Sequence, residues 1–292
     1  MLRNFLKKND ALPFRTAIFL SGTGSNAAHI LALHRQKTAP AWTPAVIVTD
    51  RNDSAAPRLA EEYGLPLILL DIREFYHAHG LKTTSMRSEQ GLAVRKLWTD
   101  ELRKQLAPFK IDFAIFAGFV PLCNIVEDFP CLNVHPGDLT TTENGKRVLV
   151  GLHTIPVEEA LLRHLPSLRS SVIVVQPVSA GAKEMDSGAL LGVSAPMPVV
   201  WDETLEQTVA ACKANRQGKP RSEYKGDGLN TVASKYQHKL KKNGDWIVFP
   251  PVIDDFAAGF YAYDDENGTL YYRGEPVTTV EFSPDGSRKV IQ

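Results

Sequence analysis

Cysteine is scarce in this chain, and the three present, Cys123, Cys131 and Cys212, have neither CxxC spacing nor histidines at ligand spacing. Neither a disulfide framework nor a zinc motif finds support, a pattern that fits a reducing cytoplasm. Long hydrophobic runs are also missing, since none approaches the ~18 residues of a membrane span. The opening MLRNFLKKNDALPFR breaks its apolar residues with charges, so neither a secretory signal nor a span is expected. Net charge is absent too: Lys+Arg and Asp+Glu both number 33, which removes bulk attraction to nucleic acid or anionic lipid. No internal repeat or low-complexity tract occurs. One local exception runs from Lys213 to Lys242, with nine basic residues against Glu223 and Asp227. It reads as a solvated face or as a rim that attracts an anionic substrate.

What is present is a core: 43% of the 292 residues are hydrophobic, enough to fold without staples. The first half alternates short apolar runs with helical patterns, the signature of βαβ units and a parallel sheet. Expected strands are Thr16–Leu20, Ala45–Thr49, Leu67–Leu70, Phe113–Phe116 and Cys131–Val134. Expected helices are 26–36, 54–63 and 88–107, the last amphipathic through Leu92, Val94, Leu97, Trp98, Leu102 and Leu106. A helical stretch at 152–163, the strands SSVIVVQPV and ALLGVSAPMPV, and a helix over Asp202–Lys213 follow. Residues 214–230, rich in Gly, Pro and charge, read as a long loop. Thr231–Lys242 reads as a helix ended by Asn243-Gly244. Aromatic and β-branched runs flank Asn267-Gly268, a hairpin signal, with a second turn at Ser283–Ser287. The division expected is an α/β domain over 14–252, with 214–230 as a loop insertion, and a C-terminal β-hairpin extension over 253–292. That extension would cover a sheet edge or build a homodimer contact.

Strand, then SGTGSNAAHI, then helix, makes an anion site. Glycines let the backbone approach closely, and the free N–H groups of the helix start point at negative charge. Gly22, Thr23, Gly24, Ser25 and Asn26 would cradle a phosphate. The same stretch meets a relaxed dinucleotide fingerprint, with Asp50 where a ribose-binding acid would lie. A tight turn without ligand remains a third reading.

In LNVHPGDL, Asn133 and His135 fall on one side of a strand at its carboxyl end, before Pro136-Gly137 turns the chain away. Open parallel sheets place ligands there. An amide and an imidazolium aimed from a stiff element stabilise an oxygen that becomes negative, although a capping Asn and a satisfied His would look the same. Asp186 in KEMDSGALL would orient the imidazole, favour its charged form and take a proton through water from an attacking amine. By itself an Asp before Ser-Gly is also an ordinary turn residue.

Taken in order, IFLSGTGSN, VIVTDRNDSAAPRLAEEYGLPL, DFAIFAGFVPL, LNVHPGDL, GLHTIPVEEAL, SSVIVV, EMDSGALL and YQHKLKKNGDW resemble the folate-dependent formyltransferases. The resemblance is nearest to the phosphoribosylglycinamide (glycinamide ribonucleotide) formyltransferases and covers roughly residues 16–250. It implies a Rossmann-like α/β fold, a mainly parallel twisted sheet with helices on both faces, and a role in one-carbon metabolism and purine biosynthesis. The implied reaction moves a formyl group from 10-formyltetrahydrofolate, as co-substrate, to a primary amine. The resemblance further implies that Gly22–Asn26 hold the substrate phosphate and that Asn133 and His135 stabilise the oxyanion. Asp186 would set the histidine's charge, while backbone at Phe119, Val120, Pro121 and Leu122 and the loop before Asp186 would line the pterin pocket. A family arginine that binds substrate would correspond to Arg87.

Two departures stand out. A short Ser-Leu-Leu-Pro loop of the family is replaced by the longer, charged GDLTTTENGKRVLV beside the expected cleft, which opens the acceptor to a sugar-nucleotide amine. Ile173 takes the place of a second active-site histidine, which opens a reading as a folate- or nucleotide-binding homologue without turnover. His77 and His79 would face one way on a strand, but no third metal ligand is apparent. His153 is read as a packing residue near the cleft, and Trp98 and Leu102 as core. Expected partners are a small phosphorylated amine and folate, with no nucleic acid, membrane or metal.

Overall fold

In β2 (Phe14–Leu20) nearly every residue is buried, and successive side chains enter different layers: Ala17 and Phe19 one, Ile18 and Leu20 the other. A strand covered on both faces reads as a continuous apolar run, which is why AIFL shows no alternation. In this computed structural model residues 2–6, 13–177 and 186–292 are described. After the short β1 (Leu2–Asn4) and β2, the chain alternates α1 (Ser25–His34), β3 (Trp42–Thr49), α2 (Ala56–Tyr63), β4 (Leu67–Leu69), α3 (Ile72–Ala78), α4 (Glu89–Leu106), β5 (Phe113–Phe116) and β6 (Cys131–His135). A small hairpin, β7 (Thr142–Glu143) and β8 (Lys146–Arg147), precedes α5 (Ile155–Leu162), β9 (Ser167–Leu168) and β10 (Ser171–Val174). Then come β11 (Leu190–Ser194), β12 (Met197–Pro198), α6 (Glu203–Arg216), α7 (Gly228–Leu240) and α8 (Trp246–Ala257). The chain closes with β13 (Tyr261–Asp264), β14 (Thr269–Tyr272), β15 (Glu275–Val277), β16 (Thr279–Phe282) and β17 (Arg288–Ile291).

The large sheet has the order β17-β16-β11-β10-β6-β5-β2-β3-β4. The run from β4 to β6 is parallel, as is β11 with β16, whereas β10 is antiparallel to both its neighbours. The expected mainly parallel α/β sheet is therefore the observed one. Helices α1, α2 and α8 pack on one face and α3 and α4 on the other. The chain leaves β2 toward β3 on one side and returns to β5 on the other, so a crevice opens at the carboxyl ends of β2 and β5. Trp98 and Leu102 are buried in the α4 layer as expected. Leu92 and Leu97 are not: both are 49% exposed, and the buried stripe takes Arg95 and Thr99 instead.

Several expectations are corrected. The long loop is shorter than 214–230, because α6 runs to Arg216 and α7 starts at Gly228, capped by the Asp227 carboxylate on the Asn230 N–H. Asn243-Gly244 does not end the helix. Lys241–Asp245 forms one π turn and the chain continues as α8 through Pro250 and Pro251. Burial of Val248, Phe249, Val252, Ile253 and Phe256 outweighs the propensity loss there. His77 lies in α3 and His79 is its C-cap, so no strand brings the two to one side.

The C-terminal strands divide between two sheets. Strands β13 to β15 join β1 in a small antiparallel sheet, with the Asn267-Gly268 turn between β13 and β14. Strand β16 instead covers the β11 edge of the large sheet, and β17 pairs with β16 across the Ser283–Ser287 turn. The division read at residue 252 falls inside α8.

Candidate active site

The turn after β2 is built around Gly24, which caps α1 with φ +66°. A Cβ there would also lie 2.9 Å from side-chain carbons of Leu20 and Leu59, so both conformation and space call for glycine. Gly22 to Asn26 line a cavity of about 290 Å³, into which the first turn of α1 presents N–H groups that lack intrahelical acceptors. The Asn26 carboxamide is already committed elsewhere: it donates to Asp245 Oδ2 at 2.9 Å and accepts from Trp246 Nε1 at 3.1 Å. One Nδ2–H and the backbone N–H remain for an anion. Asp50 is 3% exposed and does not line this cavity, so it offers no carboxylate to a ribose. Burial pushes its pKa up, opposed by a hydrogen bond with Ser21. Ser21 Oγ in turn accepts from the Val120 N–H at 2.9 Å, which ties the loop after β5 to the loop after β2.

Strand β6 aims Asn133 and His135 the same way, two positions apart in the period-two pattern. The His135 ring is 3% exposed, bonded at one nitrogen and facing a carboxylate at the other. Nε2 lies 2.7 Å from the Leu149 carbonyl, an acceptor only, so this nitrogen carries a proton. Nδ1 lies 3.5 Å from Asp186 Oδ2. That same oxygen accepts from the Gly151 N–H at 3.0 Å, which fixes the carboxylate. Asp186 itself has φ +60°, in the left-handed region that Asp tolerates better than most residues. The long segment 137–151 thus supplies the groups that orient both His135 and Asp186.

A second cavity, about 180 Å³, is lined by Phe116, Phe119–Cys123, Ile173, Val175–Pro177 and Ser187–Gly188. Val120, Leu122 and Leu152 expose 44%, 36% and 43% of their surface at its mouth, an apolar rim suited to a flat aromatic ligand. Ile173 pairs with Asn133 across the β6–β10 register and presents a methyl-bearing wall. The two cavities share five lining residues: Phe119, Val120, Asn133, Leu152 and Asp186. They meet at the polar groups singled out in the sequence.

Arg87 is exposed in the turn before α4 and lines neither cavity. Arg95, eight residues on, lines neither cavity either, but it donates to Tyr76 Oη, to the Thr84 carbonyl and to the Leu122 carbonyl, bracing the loop after β5. The loop expected before Asp186, 178–185, lies outside the described residues. Gln237 and Asp245 line the first cavity but drew no role from the sequence, while Lys241, which also lines it, belongs to the basic stretch read as a solvated face or a rim for an anionic substrate. The π turn swings Lys241 and Asp245 to the cleft, whereas an Asn-Gly pair reads as a stop. Burial raises the Asp245 pKa, opposed by bonds from Ser170 and Asn26. Arg216 and Arg221 of the basic stretch are paired with Glu158, so part of that stretch is structural.

A glycine turn at a sheet switch point, beside strand-end Asn and His, defines an open α/β fold with two adjoining cavities at its strand ends. In particulars, the fold is that of the phosphoribosylglycinamide formyltransferases. The enzyme of that name from Coxiella burnetii, solved with CHES, is 19% identical with a TM-score of 0.60, over 93% of this chain and 100% of that one. The Anaplasma phagocytophilum phosphoribosylglycinamide formyltransferase is 16% identical, TM-score 0.58, over 93% and 99%. Glycinamide ribonucleotide transformylase 1 from Symbiobacterium toebii is 20% identical, TM-score 0.56, over 89% and 93%. No protein-family model and no curated protein matches the sequence.

Proposed function

We propose that this chain is a folate-dependent N-formyltransferase that moves a formyl group from 10-formyltetrahydrofolate to the primary amine of a small phosphorylated substrate, glycinamide ribonucleotide first among them. One observation carries the reading: an apolar cavity and a glycine-turn cavity open into one another at Asn133 and Asp186, with His135 Nδ1 3.5 Å from the carboxylate. The donor's pterin would lie against Phe119–Leu122, and the acceptor's phosphate against Gly22–Ser25 and Lys241. The amine nitrogen attacks the formyl carbon, forming a C–N bond and placing negative charge on the former carbonyl oxygen. Asn133 and the Nδ1–H of a protonated His135 receive that charge. Asp186 takes the amine's proton through water, N10 of the folate takes a proton as its bond to carbon breaks, and tetrahydrofolate leaves. Such chemistry belongs with a cytoplasmic folate pool.

The acceptor cavity passes from Pro136 to Gly151 without using 137–150, so the longer loop supplies no wall there for a sugar nucleotide. A second reading, ligand binding without turnover, is favoured by Ile173 and by the altered loop after His135. Purified protein given the folate donor and glycinamide ribonucleotide should release tetrahydrofolate, followed by absorbance. His135→Ala and Asp186→Asn should each lower turnover by ~10²-fold or more. Donor binding by calorimetry, with no product from a panel of phosphorylated amines, would select the second reading.

A further inference from the structure

The segment between His135 and Gly151 folds back on the site as a brace. Leu149 gives its carbonyl to His135 and Gly151 its N–H to Asp186. Just before them β8 delivers Arg147, whose Nη1 donates to the main-chain carbonyl of Asp186 and, at 3.0 Å, to that of Gly188. These carbonyls flank Ser187, so the guanidinium grips the turn that carries the carboxylate. The turn needs a grip: Asp186 is held at φ +60°, a sparsely populated conformation for a residue with a side chain. Burial lowers the Arg147 pKa while the Asp186 charge opposes that fall, as expected of a cation drawn out of water toward this turn. A lysine would reproduce the contact poorly, because both bonds leave Nη1 and a lysine ammonium lies one bond nearer the backbone than that nitrogen.

We propose that Arg147 is a positioning residue, holding the Asp186 turn so that the carboxylate stays at the His135 ring. The proposal rests on the formyl-transfer reading for its kinetic consequence but not for its spectroscopic one. The test compares Arg147→Ala, Arg147→Lys and Asp186→Asn with the parent by the ¹⁵N signal of His135 Nδ1 and by steady-state kinetics. Asp186→Asn should move the Nδ1 signal, Arg147→Ala should move it the same way, and Arg147→Lys should fall between. Turnover of Arg147→Ala should drop ~10²-fold, the scale of a misplaced catalytic group, while KM for the amine stays within about threefold.

A parent-like Nδ1 signal in Arg147→Ala overturns the proposal, and if that variant does not fold, a parent-like signal in Arg147→Lys does so. No shift in Asp186→Asn removes the His135–Asp186 pairing and the proposal with it. A shift in the arginine variants without turnover of any amine in the parent leaves Arg147's positioning role standing and rejects formyl transfer.

Discussion

A single carbon atom decides much at Gly137. A Cβ there would lie 2.5 Å from the Leu149 carbonyl oxygen and 2.8 Å from His135 Nε2, so it would strike the very bond that fixes the histidine tautomer. Neither partner can yield cheaply, since one is backbone and the other a buried ring. Gly137→Ala is therefore expected to cut turnover at least ~10-fold through displacement of the ring and to lower the melting temperature. Gly22→Ala, whose added carbon meets open space, should keep the parent's melting temperature. Kinetics and thermal melts on the pair check both outcomes. Asn133 and His135 were legible in the sequence because a period of two and a following Pro-Gly place them at a strand end. Arg147 was not, since nothing in its own neighbourhood marks it as reaching the cleft, and Lys241 stood out only as one of nine basic residues.

Three helices, one of which lines the glycine-turn cavity, are joined by one buried acid. Glu158 of α5, 1% exposed, accepts from Thr154, from Arg216 of α6, from Arg221 and from Asn230 of α7. Burial alone would raise its pKa, but the bonds from Arg221, Thr154, Asn230 and Arg216 outweigh it and hold the carboxyl at about 2 instead of 4.5. A depressed acid lends its stability fully above its unfolded value and loses it as pH falls through the folded one. The cluster should thus contribute on the order of 3 kcal/mol near neutrality, lost between about pH 4.5 and pH 2. Glu158→Gln should lower the melting temperature at pH 7 and flatten its dependence across that window, measured by melts at stepped pH. Because α7 carries Gln237, and Lys241 directly follows it, this structural cluster also holds one wall of the cavity. The helices themselves were readable from periodicity and caps; their mutual clamp needed coordinates.

At the scale of the whole molecule, the C-terminal strands complete the sheet rather than sit apart from it. Strand β16 occupies the β11 edge, while Asp255 of α8 is bound by Arg288 through two nitrogens and by Tyr272 Oη. Burial, followed by the Asp255 contact, pushes the Tyr272 pKa up to about 12. Deleting 279–292 would strip β11 of its partner and leave the Asp255 charge without its guanidinium. An uncovered, flat, apolar edge recruits other chains, so the truncated protein is expected to elute as aggregates in size-exclusion chromatography with light scattering. A monodisperse, folded truncation would show that the edge needs no cover.

The sequence by itself determined the sheet class, the glycine turn and the strand-end Asn133 and His135, because alternation, helical period and turn chemistry are local properties of neighbouring residues. It also pointed to Asp186 through the resemblance. What the tertiary structure decided is everything that crosses the chain: Arg147 on the Asp186 turn, Leu149 on His135, the π turn that brings Lys241 to the cavity, and the sheet edge taken by β16. Those contacts join residues far apart along the chain, and their partners are chosen by packing and by the need to satisfy buried polar groups, which no local pattern encodes.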